Sequence, residues 1–263
     1  MGILNKLVSF AVGIPSFTVL MVASVWMQQW GNTSPNSCKL AETFINDYFC
    51  FHSGSLDRLK VLPNICPQFT ANLMTAIADN YFGVTKKEFL FPPKRLLNII
   101  IFWISNHSSL CTAAQEKAAI LPPGAIAMDA VTPIAGLLKW CVLAPIYKED
   151  SAEYSRLHLA LLNSILEIPR SSPPKAIYAQ HLAYCINPIL TYAGDLKTKQ
   201  ELKLNQILSE SALQMSLDRF AQAIQVAYSM CSIYGHVDDF FNQLKQLPFN
   251  KSLNIVINTY KKE

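Results

Sequence analysis

Apolar residues recur three and four positions apart along almost the whole chain, and strict alternation is rare. That period is helical. Leu40, Phe44, Ile45 and Tyr48 share one face of a helix expected from about Lys39 to Phe51, with Ser34 or Asn36 as its cap. Pro63 opens a second helix, in which Ile65, Phe69, Leu73, Ala76 and Ile77 fall at helical spacing. The run from Leu96 to Ile104 is apolar nearly all round and too short to span a bilayer, so it reads as a helix buried on several sides.

The second half repeats the theme. Ile134 to Val142 forms an apolar helix stopped by Pro145, and the stretch between Asn106 and Pro133 is the least regular. Tyr154, Leu157, Leu161, Ile165 and Ile168 mark an amphipathic helix capped by Asp150 or Ser151. A helix from about Lys175 to Tyr192, bent at Pro188 and ended by Gly194, follows the linker Ser171-Ser172-Pro173-Pro174. The clearest stripe comes next: Leu213, Leu217, Phe220, Ile224, Ala227 and Cys231, closed by Gly235. Val237, Phe240, Phe241 and Leu244 give another helix, and Leu253 to Ile257 the last, although Ile255-Val256-Ile257 alone has strand character.

No convincing strand pair emerges. Helices of ten to eighteen residues joined by short turns predict an all-α fold, an antiparallel helical array of HEAT-like or α-solenoid-like character. No fixed-period sequence repeat is visible, so the solenoid character rests on helix length alone. The charged stretch Lys148-Glu149-Asp150 suggests an N-terminal helical half over residues 1–146 and a C-terminal half over 147–263, within one continuous helical domain.

The start of the chain changes the picture. No charge occurs between Lys6 and Lys39, and Phe10 to Met27 is an uncharged run of 18 residues, at the lower limit for a membrane span. Lys6 before an apolar stretch also imitates a secretory signal. Gly13-Ile14-Pro15 interrupts that run and reads as a turn between two short helices, so a buried helical hairpin stands beside the signal and span readings. Lys6 occupies the position where a myristoylation signal carries a hydroxyl residue.

Composition sharpens this. Of 263 residues 51% are hydrophobic and only 15% charged, against about a quarter charged in ordinary soluble domains. A chain so poor in charge leaves apolar surface for a partner or a membrane to cover. The net charge of +4 is scattered in short clusters such as Lys86-Lys87 and Lys94-Arg95, without a nucleic-acid arm. The 7 cysteines are odd in number and show no C-x-x-C, which favours free thiols in a reducing compartment.

Candidate chemistry is sparse. The histidines His52, His107, His158, His181 and His236 form no H-E-x-x-H and no zinc spacing. His158 reads as a core or boundary histidine of its amphipathic helix. His236-Val237-Asp238-Asp239 reads as a helix start, its acids placed for the macrodipole. Ser53-Gly54-Ser55 is no nucleophile elbow, and P-loop, dinucleotide and kinase signatures are absent. Most cysteines sit in apolar surroundings, unlike an activated thiol. Neither cofactor nor metal is predicted.

Several blocks resemble one family. Gly2-Ile3-Leu4-Asn5-Lys6-Leu7-Val8-Ser9 is similar to a G-K-L-V-S segment of the Integrator complex subunit 15 family, and Lys39-Leu40-Ala41 with Asp47-Tyr48 to its next helix. Gly136-Leu137-Leu138-Lys139-Trp140-Cys141-Val142-Leu143-Ala144-Pro145 resembles its G-L-x-x-W-C-V-x-A-P. Tyr154-Ser155-Arg156-Leu157-His158-Leu159 resembles its Y-S-K-L-H-L, and the stretch Ser216 to Ala227, SLDRFAQAIQVA, is the most specific match. Leu247-Pro248, Leu253 and Val256-Ile257 resemble the close of its folded region. The blocks keep their order across nearly the whole chain. Members of the family carry further helices before the first block and a Pro- and His-rich tail, so a shorter homologue or a truncated form is expected.

The resemblance implies a nuclear, non-catalytic scaffold that links arm subunits 10, 13 and 14 of the Integrator complex to its core subunits. That complex attenuates RNA polymerase II transcription and processes small nuclear RNA, with its endonuclease and phosphatase in other subunits. No direct nucleic-acid contact, membrane or small-molecule substrate is expected. Two alternatives stand beside it: a membrane-associated helical protein anchored by its N-terminal segment, and an enzyme with an unrecognised thiol site. The candidate partner-binding residues are Asp218, Arg219, Gln222 and Gln225, which lie mostly off the apolar stripe of their helix. On a solvated face Gln222→Ala does little, and Asp218→Arg with Arg219→Glu weakens binding. If the charged pair is buried, the same exchange unfolds the chain.

Overall fold

The computed structural model describes residues 2–14, 16–51, 54, 56–82, 91–112, 132–147, 152–167, 177–198 and 203–260. These residues are helical nearly throughout. Two compact units divide the chain, residues 1–136 and 137–263. The division falls inside a helix rather than at the 146/147 boundary read from the sequence. The link Lys148-Glu149-Asp150, the candidate cap Ser151, Ile168, most of the irregular stretch between Asn106 and Pro133 (113–131) and the Ser171–Pro174 linker lie outside the described residues.

The first unit opens with α1 (Gly2–Gly13) and α2 (Phe17–Trp30), then α3 (Pro35–Ile45) running into a π-helical turn at Asn46–Cys50. The short helices α4 (Asp57–Lys60) and α5 (Leu62–Ile65) lead to α6 (Pro67–Phe82), α7 (Lys94–Asn106) and α8 (Ser109–Thr112). Ser34 caps α3, its hydroxyl accepting the Ser37 N–H, with Pro35 in the first turn. The helix expected from Pro63 begins at Pro67, because Pro63 sits in the separate turn α5.

Helix α6 is the centre of this unit, packed by α2, α3, α5 and α8. Phe69, Leu73, Met74 and Ile77 are buried on it, facing Phe44, Leu40 and Met27 in the same core. A buried polar chain crosses this core: Asn72 Nδ2 donates to the Ser24 hydroxyl at 2.9 Å, and Asn32 Nδ2 donates to Asn72 Oδ1 at 2.9 Å. Trp103 is buried on α7 and donates its indole N–H to the Leu59 carbonyl at 2.7 Å.

Helix α9 (Pro133–Leu143) crosses from one unit to the other and ends in a 3₁₀ turn at Pro145–Tyr147. The second unit continues with α10 (Ala152–Leu166), β1 (Ile177–Tyr178), α11 (Ala179–Ala183), α12 (Ile186–Thr198), α13 (Lys203–Ser229), β2 (Ile233–Tyr234), α14 (Val237–Leu244) and α15 (Lys251–Tyr260). The two strands pair in parallel over two residues each; such a bridge is too short to leave an alternating pattern. Ile255-Val256-Ile257 is helical, within α15.

Two expected stops differ. The helix expected through Pro188 is two helices, with Pro188 in the first turn of α12, where its missing N–H costs nothing. Gly194 lies inside α12, not at its end. Helix α13 is the spine of the second unit, contacted by α10, α12, α15 and the 3₁₀ turn. It ends before Gly235. The Ser232 N–H reaches the Ala227 carbonyl and the Cys231 N–H the Tyr228 carbonyl, both at 2.9 Å, and Cys231 takes a φ of 52°. That pair of bonds is a Schellman cap with cysteine in the usual glycine position.

Candidate interaction surfaces

The polar residues of α13 come first, since the sequence singles them out. Leu217, Phe220, Ile224 and Ala227 are fully buried, as their stripe predicts; Cys231 is exposed beyond the helix end. Arg219 is only 7% exposed. Its guanidinium donates to the Cys141 carbonyl at 2.9 Å and to the Ser155 hydroxyl at 2.8 Å. Ser216, one turn earlier, donates to the Val142 carbonyl at 2.6 Å. These are the carbonyls at the end of α9, where Pro145 supplies no N–H and a cation suits the helix dipole.

Asp218 is half-buried and also committed. Its Oδ1 accepts from Asn250 Nδ2 at 3.0 Å, while Asn250 Oδ1 caps α15 by accepting the Leu253 N–H at 2.8 Å. Gln222 is exposed, yet its Oε1 lies 3.2 Å from His158 Nε2. Gln225 is exposed, and its side chain makes no hydrogen bond among the described residues. The four candidates are therefore not one solvated face.

His158 is a buried core histidine on α10. Burial pulls its pKa down to about 4, against the Gln222 bond that raises it; Arg219 adds to the lowering. The ring is neutral at pH 7, and with Nε2 donating to Gln222 its Nδ1 lone pair is buried without a partner. The three stretches around Gly136–Pro145, Tyr154–Leu159 and Ser216–Ala227 thus meet in one polar latch.

Two buried thiols are held protonated rather than activated. Burial raises the Cys66 thiol and pushes Cys185 up to about 12, although Lys139 acts the other way on Cys185. Among the described residues no three His, Cys, Asp or Glu side chains gather as a metal would need. His236 precedes α14, with Asp238 and Asp239 in its first turn.

The second surface is one the sequence reading treats as buried. The hairpin of α1 and α2 forms as expected, yet only one side of it is covered. Val8, Ala11 and Val12 of α1 and Leu20, Ala23 and Met27 of α2 face the core. On the outside, Ile3 is 89% exposed, Phe10 64%, Val22 67% and Trp30 58%, with Leu4, Leu7, Ile14, Phe17 and Val25 also exposed. A groove of about 240 Å³ runs between the two helices, bordered by Leu4, Leu7, Thr18, Val22 and Trp26. On the other flank of α1, Lys6 pairs with Asp47, whose second oxygen accepts from the Ser9 hydroxyl at 2.8 Å. Among the described residues no helix is long and apolar enough to cross a membrane.

A signal for this surface exists in the sequence. Ile3, Leu7, Phe10 and Ile14 are spaced four, three and four apart, opposite the buried set Asn5, Val8 and Val12. A helix apolar on two opposite sides needs cover on both.

A family model described as Integrator complex subunit 15 matches residues 1–249. Integrator complex subunit 15 of Drosophila melanogaster is 36% identical over 261 residues, covering 99% of this chain and 68% of that protein. The Homo sapiens subunit 15 is 27% identical over 285 residues, covering 98% of this chain and 62% of its own length. The Mus musculus protein is 28% identical over 284 residues, with the same 62% of its length covered. The chain spans about two thirds of the fly protein and less than two thirds of the mammalian ones.

Proposed function

The chain belongs to the Integrator complex subunit 15 family, and from that membership we propose that it works as a non-catalytic helical adaptor in the nuclear Integrator complex. Its partners are then other Integrator subunits, the arm subunits 10, 13 and 14 on one side and core subunits on the other. Its contribution to transcription attenuation and small nuclear RNA processing is to hold those subunits together.

The observation that carries this reading is the outer face of the α1–α2 hairpin. Monomeric proteins rarely expose a contiguous apolar patch of this kind, and a patch rimmed by polar residues marks a contact with another molecule. A second contact on α13 is narrower than the sequence suggested: Gln225, with the exposed side of Gln222, is what remains once Arg219 and Asp218 are spent on internal bonds.

Affinity purification of the full chain from nuclear extract, with mass spectrometry of what it brings down, tests the proposal. Integrator arm subunits are the expected recovery. Recovery of membrane or secretory proteins alone would overturn it and return the first thirty residues to their hydropathic reading.

A further inference from the structure

We infer that the groove between α1 and α2 receives an amphipathic helix from a partner protein, which completes a three-helix bundle. This rests on the adaptor reading and names the kind of partner segment it needs.

The groove is the gap between two antiparallel neighbours, bordered by Leu4 and Leu7 of α1 and by Thr18, Val22 and Trp26 of α2. Its wall residues recur three and four apart on each helix, the spacing that takes the knobs of a third helix packed at about 20°. No charged side chain borders it. Lys6 sits on the opposite flank, already paired with Asp47. A matching partner therefore brings an uncharged apolar stripe with residues three and four apart, its charges confined to the far face.

Charge decides against a lipid surface. Helices that lie on membranes carry Lys and Arg along the polar face, drawn to anionic headgroups; the hairpin's one cation, Lys6, is paired with Asp47, and between Lys6 and Lys39 this chain has none. Size decides against a free-standing pair of copies. Helix α2 has 14 residues, about 21 Å of length at 1.5 Å per residue. Under a helix about 10 Å wide that gives a footprint of roughly 200 Å², far below the ~800 Å² per partner of a stable interface. Such a groove is one contact within a larger assembly.

The test places a photo-crosslinking amino acid at Val22, and in a separate protein at Val25, in the full chain expressed in cells. Val25 is also exposed on α2 but does not border the groove. We expect Val22 to crosslink to a partner peptide whose apolar residues recur three and four apart, with at least tenfold less crosslink at Val25. In parallel, Val22→Asp should lower recovery of that partner at least tenfold, and Val25→Asp should leave it within twofold, with helical circular dichroism unchanged in both. Crosslinks to a second copy of the chain, to lipid, or to a peptide without that spacing would overturn the inference, as would equal losses from both aspartates. If the unsubstituted chain recovers no Integrator subunit, the adaptor reading fails; the Val22 crosslink still reports whether a helix lies in the groove.

Discussion

The Arg219 guanidinium donates to the Cys141 carbonyl at 2.9 Å, the carbonyl whose helical donor would have been the N–H that Pro145 lacks. One proline creates an orphan acceptor at the end of α9, and a buried arginine 78 positions away fills it. The cation also lies at a helix C-terminus, where the dipole favours it. Arg219 is thus a structural residue of the second unit, bonded across it before any partner is considered.

Removing it should be costly. Arg219→Ala takes the charged donor from the buried Cys141 carbonyl and from the exposed Ser155 hydroxyl, a loss of about 2–3 kcal/mol carried mainly by the buried bond. Lysine cannot span both acceptors with a forked head, so Arg219→Lys should recover only part. Arg219→Glu sets a carboxylate against carbonyl oxygens and should unfold the unit. The paired charge exchange at Asp218 and Arg219 therefore reports on folding, not on partner contact. Denaturant unfolding of the three variants checks the order Lys, Ala, Glu.

His158 gives the fold a pH dependence with a definite sign. Its folded pKa of about 4 lies below the 6.5 of a free histidine. Between those values the unfolded chain binds a proton that the folded one refuses. Stability from this group is complete above pH 6.5 and is lost as pH falls toward 4; below that it changes no further. The span corresponds to about 3 kcal/mol at 1.36 kcal/mol per unit. His158→Gln should flatten the slope of unfolding free energy against pH over that window. Gln222→Ala should cost about 1 kcal/mol by orphaning the ring N–H, more than a solvated face would predict. A Gln222→Ala protein as stable as the parent would remove the hydrogen bond from this account.

The helices were legible because burial writes a period into the sequence. Leu217, Phe220 and Ile224 occupy the core at the spacing that announced them. Polar residues carry no such mark. Arg219 and Gln225 look alike on a helical wheel, and only the placement of Cys141 and Ser155, 78 and 64 positions from Arg219 along the chain, separates them. The hairpin formed as read, but the cover on its outer side was not legible. Its two-sided apolar pattern was visible, but periodicity cannot say whether the second side is covered by the same chain. The ends at Gly194 and Gly235 were misplaced because glycine tolerates many conformations and commands none.

Gly136 marks a close approach. A Cβ placed there would lie 2.6 Å from the Ala78 Cβ, where the start of α9 meets α6 within the first unit. Helical glycine normally gains from replacement by alanine. Here the contact reverses that gain, and Gly136→Ala should destabilise by about 1–3 kcal/mol through overpacking. Gly194, with nothing near its would-be Cβ, is the matched control: Gly194→Ala should stabilise by roughly 0.5–1 kcal/mol. Thermal midpoints of the two variants should move in opposite directions.

Cys231 offers the converse case. It holds a φ of 52° as the left-handed residue of the cap that ends α13, and it is exposed, so its side chain contributes little packing there. The left-handed region costs an ordinary residue roughly 1–2 kcal/mol that glycine does not spend. Against this stands the larger entropy that glycine loses on folding, about 0.5–1 kcal/mol. Strain exceeds entropy on these magnitudes, so Cys231→Gly should stabilise the second unit by about 0.5–1 kcal/mol, and Cys231→Val, β-branched and stiff at χ1, should destabilise it. Cys231→Asn should fall between them, since asparagine tolerates the left-handed region. Chemical denaturation of all three separates the backbone effect from loss of the thiol, because each variant removes the sulfur equally. Uniform changes across the set would place the effect in the thiol and not in φ.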